Sequence, residues 1–477
     1  MYFQRFYDTP LAQASYLIGC QVTGEAVVID ANRDIAQYVE AAEAQKLRIT
    51  HVAETHIHAD YVSGSRELAH AAGAQLLLSA EGGPDWQYAF AAASDATLLR
   101  DGSSFRVGNI RLDVLHTPGH TPEHICFVVT DGAAANEPMG VITGDFVFVG
   151  DVGRPDLLEK AAKIAGIMEA AARTLHASLA RFRALPDWLQ VWPGHGAGSA
   201  CGKALGAVPA STVGYEKRFN WGMEPMTEDQ FVQRVLDGQP EPPTYFAQMK
   251  RINKEGPALL HGFRRPERLP AARLGKLIAG GHVVVDTRPT ATFARAHVPG
   301  TINIPLYKSF STWAGWLLPY DRDIHLIVDD ESRSLDQAVR DLAMIGLDRI
   351  AGVFGHDAVG AWAQIAGTGT IAQTNAAELH DTLLPQGVAV IDVRNQSEWE
   401  AGHLPGAHHV QLGTLEARLD EIPRDGVVVV HCQGGTRSAI AASLLAARGF
   451  RNVINLQGGY QEWVAADHPV IRDGAPR

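Results

Sequence analysis

The sequence predicts an α/β protein made of several layered domains. Short apolar runs of strand type alternate with helical segments over the first two hundred residues. The remainder contains an internal repeat, and each copy carries two Val/Ile-rich runs, which are typical of a parallel sheet. A chain of 477 residues is too long for one hydrophobic core, so about three domains are expected.

Composition and charge exclude several classes of protein. The hydrophobic content of 46% and the charged content of 20% are those of an ordinary globular protein. A net charge of −12 argues against nucleic-acid binding, and no apolar run reaches the ~20 residues that span a bilayer. The first ten residues lack the pattern of a secretory signal. The four cysteines (Cys20, Cys126, Cys201, Cys432) have neither disulfide-type nor metal-type spacing, so we expect a reducing, cytoplasmic setting.

Polar motifs of the first domain directly follow predicted strands. The predicted strands are residues 16–20, 26–30, 49–53, 76–79, 105–107, 110–115, 125–130, 139–143 and 189–192, and the predicted helical segments are 35–46 and 157–185. A layered α/β protein places its functional site at such strand ends.

Two proline-rich segments, QPEPP at 239–243 and RRPERLP at 264–270, indicate a domain boundary with a mostly helical connector between them. We therefore expect a first domain with its connector at residues 1–250. Two further domains are expected at residues 267–368 and 372–477.

These two later domains arise from a duplication. VVVDTR at 283–288 matches VAVIDVR at 388–394, and FARAHVPG at 293–300 matches WEAGHLPG at 399–406, with an offset of 106 positions in both cases. The period is too long for a solenoid repeat, so it indicates two copies of a whole domain.

A metal-type motif, THIHADY at residues 55–61, follows the predicted strand 49–53. Two imidazoles and a carboxylate within five residues make a poor core but a good metal site; a polar loop with two histidines is the alternative. Later motifs place a metal-competent side chain beside glycine, which lets the backbone approach a crowded centre. The candidate residues are His56, His58, Asp60, His120 in TPGH, Asp145 after Gly144, and His195 in PGHG.

This ordered series resembles the metallo-β-lactamase superfamily, in particular its glyoxalase II and persulfide dioxygenase branches, over roughly residues 1–220. The resemblance implies an αββα sandwich with the metal at the edge between its sheets. For the dioxygenase branch it implies one Fe(II) per chain, held by His56, His120 and Asp145. Such a triad leaves three coordination positions for a persulfide sulfur and O2.

The same resemblance matches His58, Asp60 and His195 to a second site, usually for zinc, in two-metal hydrolases. That site normally also has a histidine after the aspartate, where this chain has Tyr61. A phenol with a pKa of about 10 is a poor ligand for a divalent ion. We therefore expect a single metal, with His58, Asp60 and His195 as hydrogen-bonding partners of its ligands or as substrate-facing groups.

Other residues of the first domain allow two interpretations. Arg154, in GRPD, either binds a carboxylate on the thiol that carries the sulfur or forms a surface ion pair. Cys201 either exchanges sulfur near the substrate entrance or is a packed thiol. His116 and His124 flank TPGH and are expected to be structural.

The last domain carries a cysteine in HCQGGTR at 431–437, between a strand and an Ala/Leu-rich helix. Converging amides, the helix dipole and Arg437 would stabilise a thiolate and then a persulfide anion. With the DVR and GHLPG motifs before it, the loop resembles the rhodanese family, which passes sulfane sulfur through a cysteine persulfide. The resemblance implies that Cys432 is the nucleophile. Its cradle would be formed by the amides of Gln433, Gly434, Gly435, Thr436 and Arg437.

The first copy lacks this cysteine. Its matching segment is VDDESRS at 328–334, and the three consecutive acids would repel an anionic persulfide. We expect this copy to be inactive and to serve as a spacer, a docking surface or a dimer contact.

Together these motifs predict a fused persulfide dioxygenase and sulfurtransferase. A small thiol persulfide would be oxidised with O2 to sulfite, and Cys432 would transfer sulfane sulfur to give thiosulfate. Two alternatives stay open: a zinc thioester hydrolase of glyoxalase II type and a non-catalytic sulfur carrier or sensor. Neither nucleic acid nor a membrane is an expected partner, and a homo-oligomer is expected.

Overall fold

The structure is a computed structural model that describes residues 1–157, 159, 166–203 and 205–472. It divides into two compact units, one with residues 1–263 and 343–346, the other with residues 264–342 and the chain from 347 onward. Among the described residues, no helix is both long enough and apolar enough to cross a bilayer.

Two six-stranded sheets form the centre of the first unit. The first sheet contains, side by side in chain order, β1 (Tyr2–Asp8), β2 (Gln13–Cys20), β3 (Glu25–Ile29), β4 (Arg48–Ala53), β5 (Gln75–Ser79) and β6 (Thr97–Leu99). The strands that follow are β7 (Ser104–Val107), β8 (Ile110–His116), β9 (Ile125–Asp131), β10 (Gly140–Gly144), β11 (Val147–Phe148), β12 (Asp151–Val152), β13 (Gln190–Pro193) and β14 (Ser211–Thr212). The second sheet has the order β14-β13-β10-β9-β8-β7, and β11 pairs with β12.

Helices cover the outer faces of both sheets. The α-helices of this unit's described residues are α1 (Ala36–Ala44), α2 (Ser65–Ala72), α3 (Met168–Arg183), α4 (Val213–Phe219), α5 (Glu228–Leu236) and α6 (Phe246–Glu255). The first sheet packs against α1 and α2, and the second against α3 and α5.

Alternation of side chains along the strands produces the layers. On β2, Leu17 points into the cluster that contains Tyr38 of α1, while its neighbour Ile18 joins Phe127 of the second sheet. On the other face of that sheet, Val141 packs with Leu175 of α3. The result is the predicted αββα sandwich, and the predicted fold class is confirmed.

Most predicted strands of the first unit are present with slightly shifted ends. No strand was predicted at β1, where pairs of aromatic residues (Tyr2 with Phe3, Phe6 with Tyr7) flank Gln4 and Arg5 and do not alternate with polar residues. The predicted helical segment 157–185 contains α3, while positions 158 and 160–165 lie outside the described residues.

The second unit contains two parallel sheets that repeat one arrangement. Its strands are β15 (Val283–Asp286), β16 (Ile302–Asn303), β17 (Ile324–Ile327), β18 (Ile350–Phe354), β19 (Ala372–Thr374), β20 (Ala389–Asp392), β21 (His408–His409), β22 (Val428–His431) and β23 (Val453–Leu456). The orders are β16-β15-β17-β18 and β21-β20-β22-β23-β19, so the second copy adds only one edge strand. Every pair is parallel, as the repeat predicted.

The α-helices of the described second unit are α7 (Leu274–Ala279), α8 (Thr290–Arg295), α9 (Phe310–Leu317), α10 (Ser334–Met344), α11 (Asp357–Ala366), α12 (Ala376–Glu378), α13 (Gln396–Ala401), α14 (Thr436–Ala447) and α15 (Gly459–Ala465). Both copies also share a buried ion pair at the end of the matching strands β15 and β20. Arg288 binds Asp286 at 2.6 Å, and Arg394 binds Asp392 at 2.7 Å.

The first prediction concerns the core between the sheets of the first unit. Replacing the fully buried Phe127 by alanine should reduce local stability by about 3–5 kcal/mol, because it removes packing and leaves a cavity. Hydrogen exchange of peptides from β9, followed by mass spectrometry, measures the change. Val22→Ala is the control, since Val22 is 80% exposed and its loss should leave exchange unchanged. Equal exchange in both variants would contradict the layered packing.

Candidate metal centre and sulfur-transfer loop

Three strand ends of the first unit bring His56, His120 and Asp145 together. His56 follows β4, Asp145 follows β10, and His120 lies between β8 and β9. One ligand atom from each residue lies within 4.8 Å of the others. The Nε2 atoms of His56 and His120 lie 3.8 and 3.6 Å from Oδ2 of Asp145. All three side chains are buried, so the cluster is shielded from bulk water.

Hydrogen bonds orient both imidazoles of this cluster. Nδ1 of His56 lies 2.9 Å from Oγ1 of Thr55, which donates its own proton to Asp30. Nδ1 of His120 lies 3.1 Å from the carbonyl oxygen of Arg154. Each Nδ1 therefore acts as a donor, which leaves the lone pair of Nε2 free to face the centre.

The cluster fits a divalent cation. Nε2 of His56 and both carboxylate oxygens of Asp145 are buried without a hydrogen-bond partner, although buried polar atoms are normally paired. Burial lowers the pKa of His120 to about 3 and raises that of Asp145 to about 6. A neutral imidazole is the ligand form, and a cation would favour the ionised carboxylate. Two histidines and one aspartate are donors that suit iron or zinc.

Two glycines allow the metal-binding segments to converge. A Cβ atom at Gly144, which has φ +48°, would lie 2.5 Å from Oγ1 of Thr55. A Cβ atom at Gly194 would lie 2.7 Å from Oδ1 of Asp145. Any side chain at either position would therefore displace a residue of the centre.

His58 and Tyr61 both face Asp30. Nε2 of His58 lies 3.2 Å from Oδ1 of Asp30; burial alone would lower the pKa of His58, but the Asp30 carboxylate raises it to about 9. Asp30 thus engages one ring nitrogen of His58. The Tyr61 hydroxyl donates to the Asp30 carbonyl oxygen at 3.3 Å, and burial raises its pKa well above the usual value.

Asp60, His195 and Cys201 form a second buried cluster beside Asp145. Their ligand atoms lie within 4.8 Å of one another. Nε2 of His195 is 3.2 Å from Oδ2 of Asp60 and 3.3 Å from Oδ1 of Asp145. Burial, with the neighbouring Asp60 and Asp145 carboxylates, raises the pKa of Cys201 well above its usual value. Cys201 thus lies next to the cluster of His56, His120 and Asp145. It is beside Asp60 and His195, the residues that the sequence matched to a second metal site.

In the second unit, Cys432 lies between β22 and α14 and is only 1% exposed. Its Sγ accepts hydrogen bonds from the amide of Gly435 at 3.1 Å and from Oγ of Ser438 at 3.5 Å. Of the amides predicted to form the cradle, that of Gly435 donates a hydrogen bond to the Cys432 sulfur. A sulfur anion at the start of α14 would also be stabilised by the helix dipole.

Arg437 stands beside Cys432 and binds Glu398 with both ends of its guanidinium. The two hydrogen bonds are 2.6 and 2.7 Å long. A second guanidinium, that of Arg394, donates to Asp392 and to the carbonyl oxygen of Gly402. Both cations near the sulfur are therefore paired with carboxylates.

Comparison with known proteins identifies both halves of the chain. The family profile described as metallo-beta-lactamase superfamily matches residues 8–195, and that of the rhodanese-like domain matches residues 270–355 and 375–466. A crystal structure of a metallo-beta-lactamase from Staphylococcus aureus is 43% identical; the match covers 74% of this chain and 98% of that chain, with a TM-score of 0.66. The chain is a metallo-beta-lactamase superfamily protein fused to two rhodanese-like domains.

Curated relatives of the metallo-beta-lactamase part include an oxygenase and a hydrolase. The bovine mitochondrial persulfide dioxygenase ETHE1 is 29% identical over 197 residues, which are 40% of this chain and 67% of the relative. A hydroxyacylglutathione hydrolase of Rhodospirillum rubrum is 30% identical over 187 residues, which are 38% of this chain and 60% of the relative. The chain spans 42% and 59% of two Bacillus subtilis relatives, YrkF and YqhL.

Sequence reasoning missed Asp30, which contacts the metal motif of this metallo-beta-lactamase domain. Its carboxylate accepts from the Thr55 amide at 2.7 Å and from the Thr55 hydroxyl at 2.9 Å. The available signal was an acid at the end of a predicted strand. Because β3 lies beside β4 in parallel, that acid reaches the segment that follows β4.

Arg154 is fully buried, so its ion pair is not at the surface. It forms a bidentate pair with Asp156, and it donates to the carbonyl oxygens of Ala200 and Pro240. The side chain thus connects three segments near the metal centre, while its own carbonyl oxygen positions His120.

His116 and His124 do not point free nitrogens at the cluster. His124 uses both ring nitrogens, one with Thr117 and one with the amide of Asp145. Nε2 of His116 lies 2.8 Å from the carbonyl oxygen of Pro122.

The cysteine-free rhodanese-like copy has Val328 at the place of Cys432, directly after the matching strand. In the acidic segment that follows, Glu331 is held by Arg268 at 2.7 Å. Arg268 also binds Asp357 at 3.0 Å.

The second prediction tests the metal cluster. Asp145→Asn and His120→Ala should each reduce bound metal to background, because each removes one of three converging donors. Elemental analysis of the purified chain after anaerobic reconstitution measures the loss. His116→Ala is the matched control and should keep the metal, since its ring nitrogen faces a carbonyl oxygen. Full metal content in Asp145→Asn would disprove this ligand set.

Proposed function

We propose that the chain is a persulfide dioxygenase fused to a sulfurtransferase, with separate sites for the two reactions. In the first reaction a small thiol persulfide would be oxidised to sulfite: RSSH + O2 + H2O → RSH + H2SO3. The observation that carries this proposal is the buried cluster of His56, His120 and Asp145, beside which His58 is bound to Asp30. Two histidines and one carboxylate on one face of an ion are typical of non-haem Fe(II) oxygenases.

The residues around the centre support this role. Thr55 and the carbonyl oxygen of Arg154 hold the two imidazoles with Nε2 toward the ion site. Burial of the cluster keeps bulk water away from the centre, which strengthens the electrostatic interactions among its groups. When bound, Fe(II) supplies the redox chemistry that O2 requires. We propose one such ion per chain, with zinc as the alternative occupant.

The second reaction would take place at Cys432. Attack of its thiolate on the outer sulfur of a thiol persulfide releases the thiol and leaves a cysteine persulfide. Sulfite then attacks that outer sulfur, the S–S bond to Cys432 breaks, and thiosulfate leaves with the cysteine returned as a thiolate. The amide of Gly435 and the hydroxyl of Ser438 would hold the sulfur anion in both steps. One site would thus consume the sulfite that the other makes.

A second candidate function is a zinc thioester hydrolase of glyoxalase II type. The specific observation in its favour is the cluster of Asp60, His195 and Cys201, which lies beside Asp145 and offers donors that zinc prefers. A two-metal centre would use Asp145 as the shared ligand. Tyr61 argues against it, because its hydroxyl is bound to Asp30 at the position where such sites have a histidine.

The third prediction separates these two candidates. The chain reconstituted with Fe(II) under anaerobic conditions should consume O2 when given glutathione persulfide, and sulfite or thiosulfate should accumulate. Oxygen uptake, iron content and hydrolysis of an acyl-glutathione thioester are measured on one preparation. Asp145→Asn serves as the inactive control. Thioester hydrolysis without O2 uptake in an iron-loaded sample would overturn the dioxygenase proposal.

The fourth prediction tests the assignment of Cys432. Cys432→Ser should abolish sulfur transfer from thiosulfate to cyanide, because serine cannot form a persulfide, and it should leave O2 uptake unchanged. Cys20→Ser is the matched control; that buried thiol lies in the first unit on β2 and should be dispensable for both activities. Loss of O2 uptake together with transfer would indicate one composite reaction.

A further inference from the structure

We propose that Glu398 is a positioning residue that sets the charge selectivity of the Cys432 loop by pairing with Arg437. The pairing weakens the binding of dianionic thiosulfate and so favours its release. This inference rests on the proposed sulfur transfer at Cys432.

Glu398 occupies one edge of the Arg437 guanidinium and offsets its positive charge. Both terminal nitrogens of its guanidinium bind the two oxygens of Glu398, at 2.6 and 2.7 Å. The side chains are 18% and 29% exposed, so the pair is only partly screened by water. Bidentate pairs of this type are the stronger charge-assisted hydrogen bonds.

The other titratable groups near the Cys432 sulfur, Arg394 and His431, are paired or neutral. Arg394 is held by both carboxylate oxygens of Asp392 and contacts Oε1 of Gln433 in the loop at 3.4 Å. Burial lowers the pKa of His431, the residue before the cysteine, to about 4, so that ring is neutral. The loop therefore offers amide and hydroxyl donors to a sulfur anion without an unpaired cation for a dianion.

Comparison of the two rhodanese-like copies distinguishes charged pairs that belong to the fold from those that occur only with the cysteine. The buried Arg–Asp pair occurs in both copies, as Arg288 with Asp286 and as Arg394 with Asp392. The carboxylate that pairs with Arg437 has no such counterpart. In the first copy, which lacks the cysteine, the offset of 106 positions places Thr292 where the second copy has Glu398. The glutamate thus accompanies the cysteine, and in the second copy it also accepts from the Asn395 amide in the capping box that starts α13.

The pairing of Arg437 with Glu398 acts on the release of thiosulfate. Sulfite and the cysteine persulfide combine to give thiosulfate and the Cys432 thiolate, and no oxidant or reductant is consumed. An unpaired guanidinium beside the product would retain the dianion. Pairing with Glu398 removes that attraction while the cradle amide of Gly435 continues to hold the cysteine sulfur.

The test uses the full chain with Glu398→Gln. Glutamine has the same shape and can still accept from the Asn395 amide, as glutamine does in other capping boxes. The KM for thiosulfate in transfer to cyanide should fall about tenfold, and thiosulfate should become a correspondingly stronger product inhibitor of transfer to sulfite. Tenfold corresponds to about 1.4 kcal/mol, near the lower end for hydrogen bonds to charged groups.

A donor of lower charge distinguishes electrostatics from a structural effect. Methanethiosulfonate offers the same kind of sulfur with one negative charge fewer, so its KM should fall only about threefold. Glu398→Asp keeps the charge and should behave as the wild type, as should Glu416→Gln, which removes a carboxylate paired with Arg448 just beyond the far end of α14. The difference between the two donors should shrink at high ionic strength.

Several outcomes would overturn the inference. An unchanged KM for thiosulfate in Glu398→Gln would do so, as would equal changes for both donors. Loss of all transfer in Glu398→Gln would make the residue a structural one. These results leave the proposed function intact, because that is tested separately by Cys432→Ser.

Discussion

The carboxylate of Asp30 holds the segment on which the metal centre depends. It accepts from the amide and hydroxyl of Thr55 and faces the ring of His58. The Thr55 hydroxyl, so oriented, accepts a hydrogen bond from Nδ1 of His56 and leaves Nε2 for a metal. Asp30 reaches this position in a left-handed conformation, with φ 55°, at the end of β3. The ligand geometry therefore depends on where two neighbouring parallel strands end.

The two sites handle negative charge in different ways. At the first site a carboxylate whose pKa is raised by burial lies among buried imidazoles, an arrangement that a cation would stabilise. At the second site the sulfur anion meets an amide and a hydroxyl, while both neighbouring guanidinium groups are already paired. The first environment suits a cation, and the second suits a sulfur anion held by an amide and a hydroxyl.

Much of this was predictable from local sequence. The alternation of strands and helices, the internal repeat and the motifs around His56, His120 and Cys432 depend on spacing within short segments, and the fold class followed from them. Asp30 and Glu398 were not found, because each acts on a residue more than twenty positions away that only the sheet brings near. The burial of Arg154 could not be predicted either, because its partners Ala200 and Pro240 come from later loops.

The burial of the metal donors has a consequence for how an ion arrives. His56, His120 and Asp145 are each at most 2% exposed, so an ion bound among them leaves only when the surrounding segments open. Exchange of a bound ion with solvent should therefore be slower than at a surface site, and anaerobic loading of the folded chain with Fe(II) depends on the same local opening.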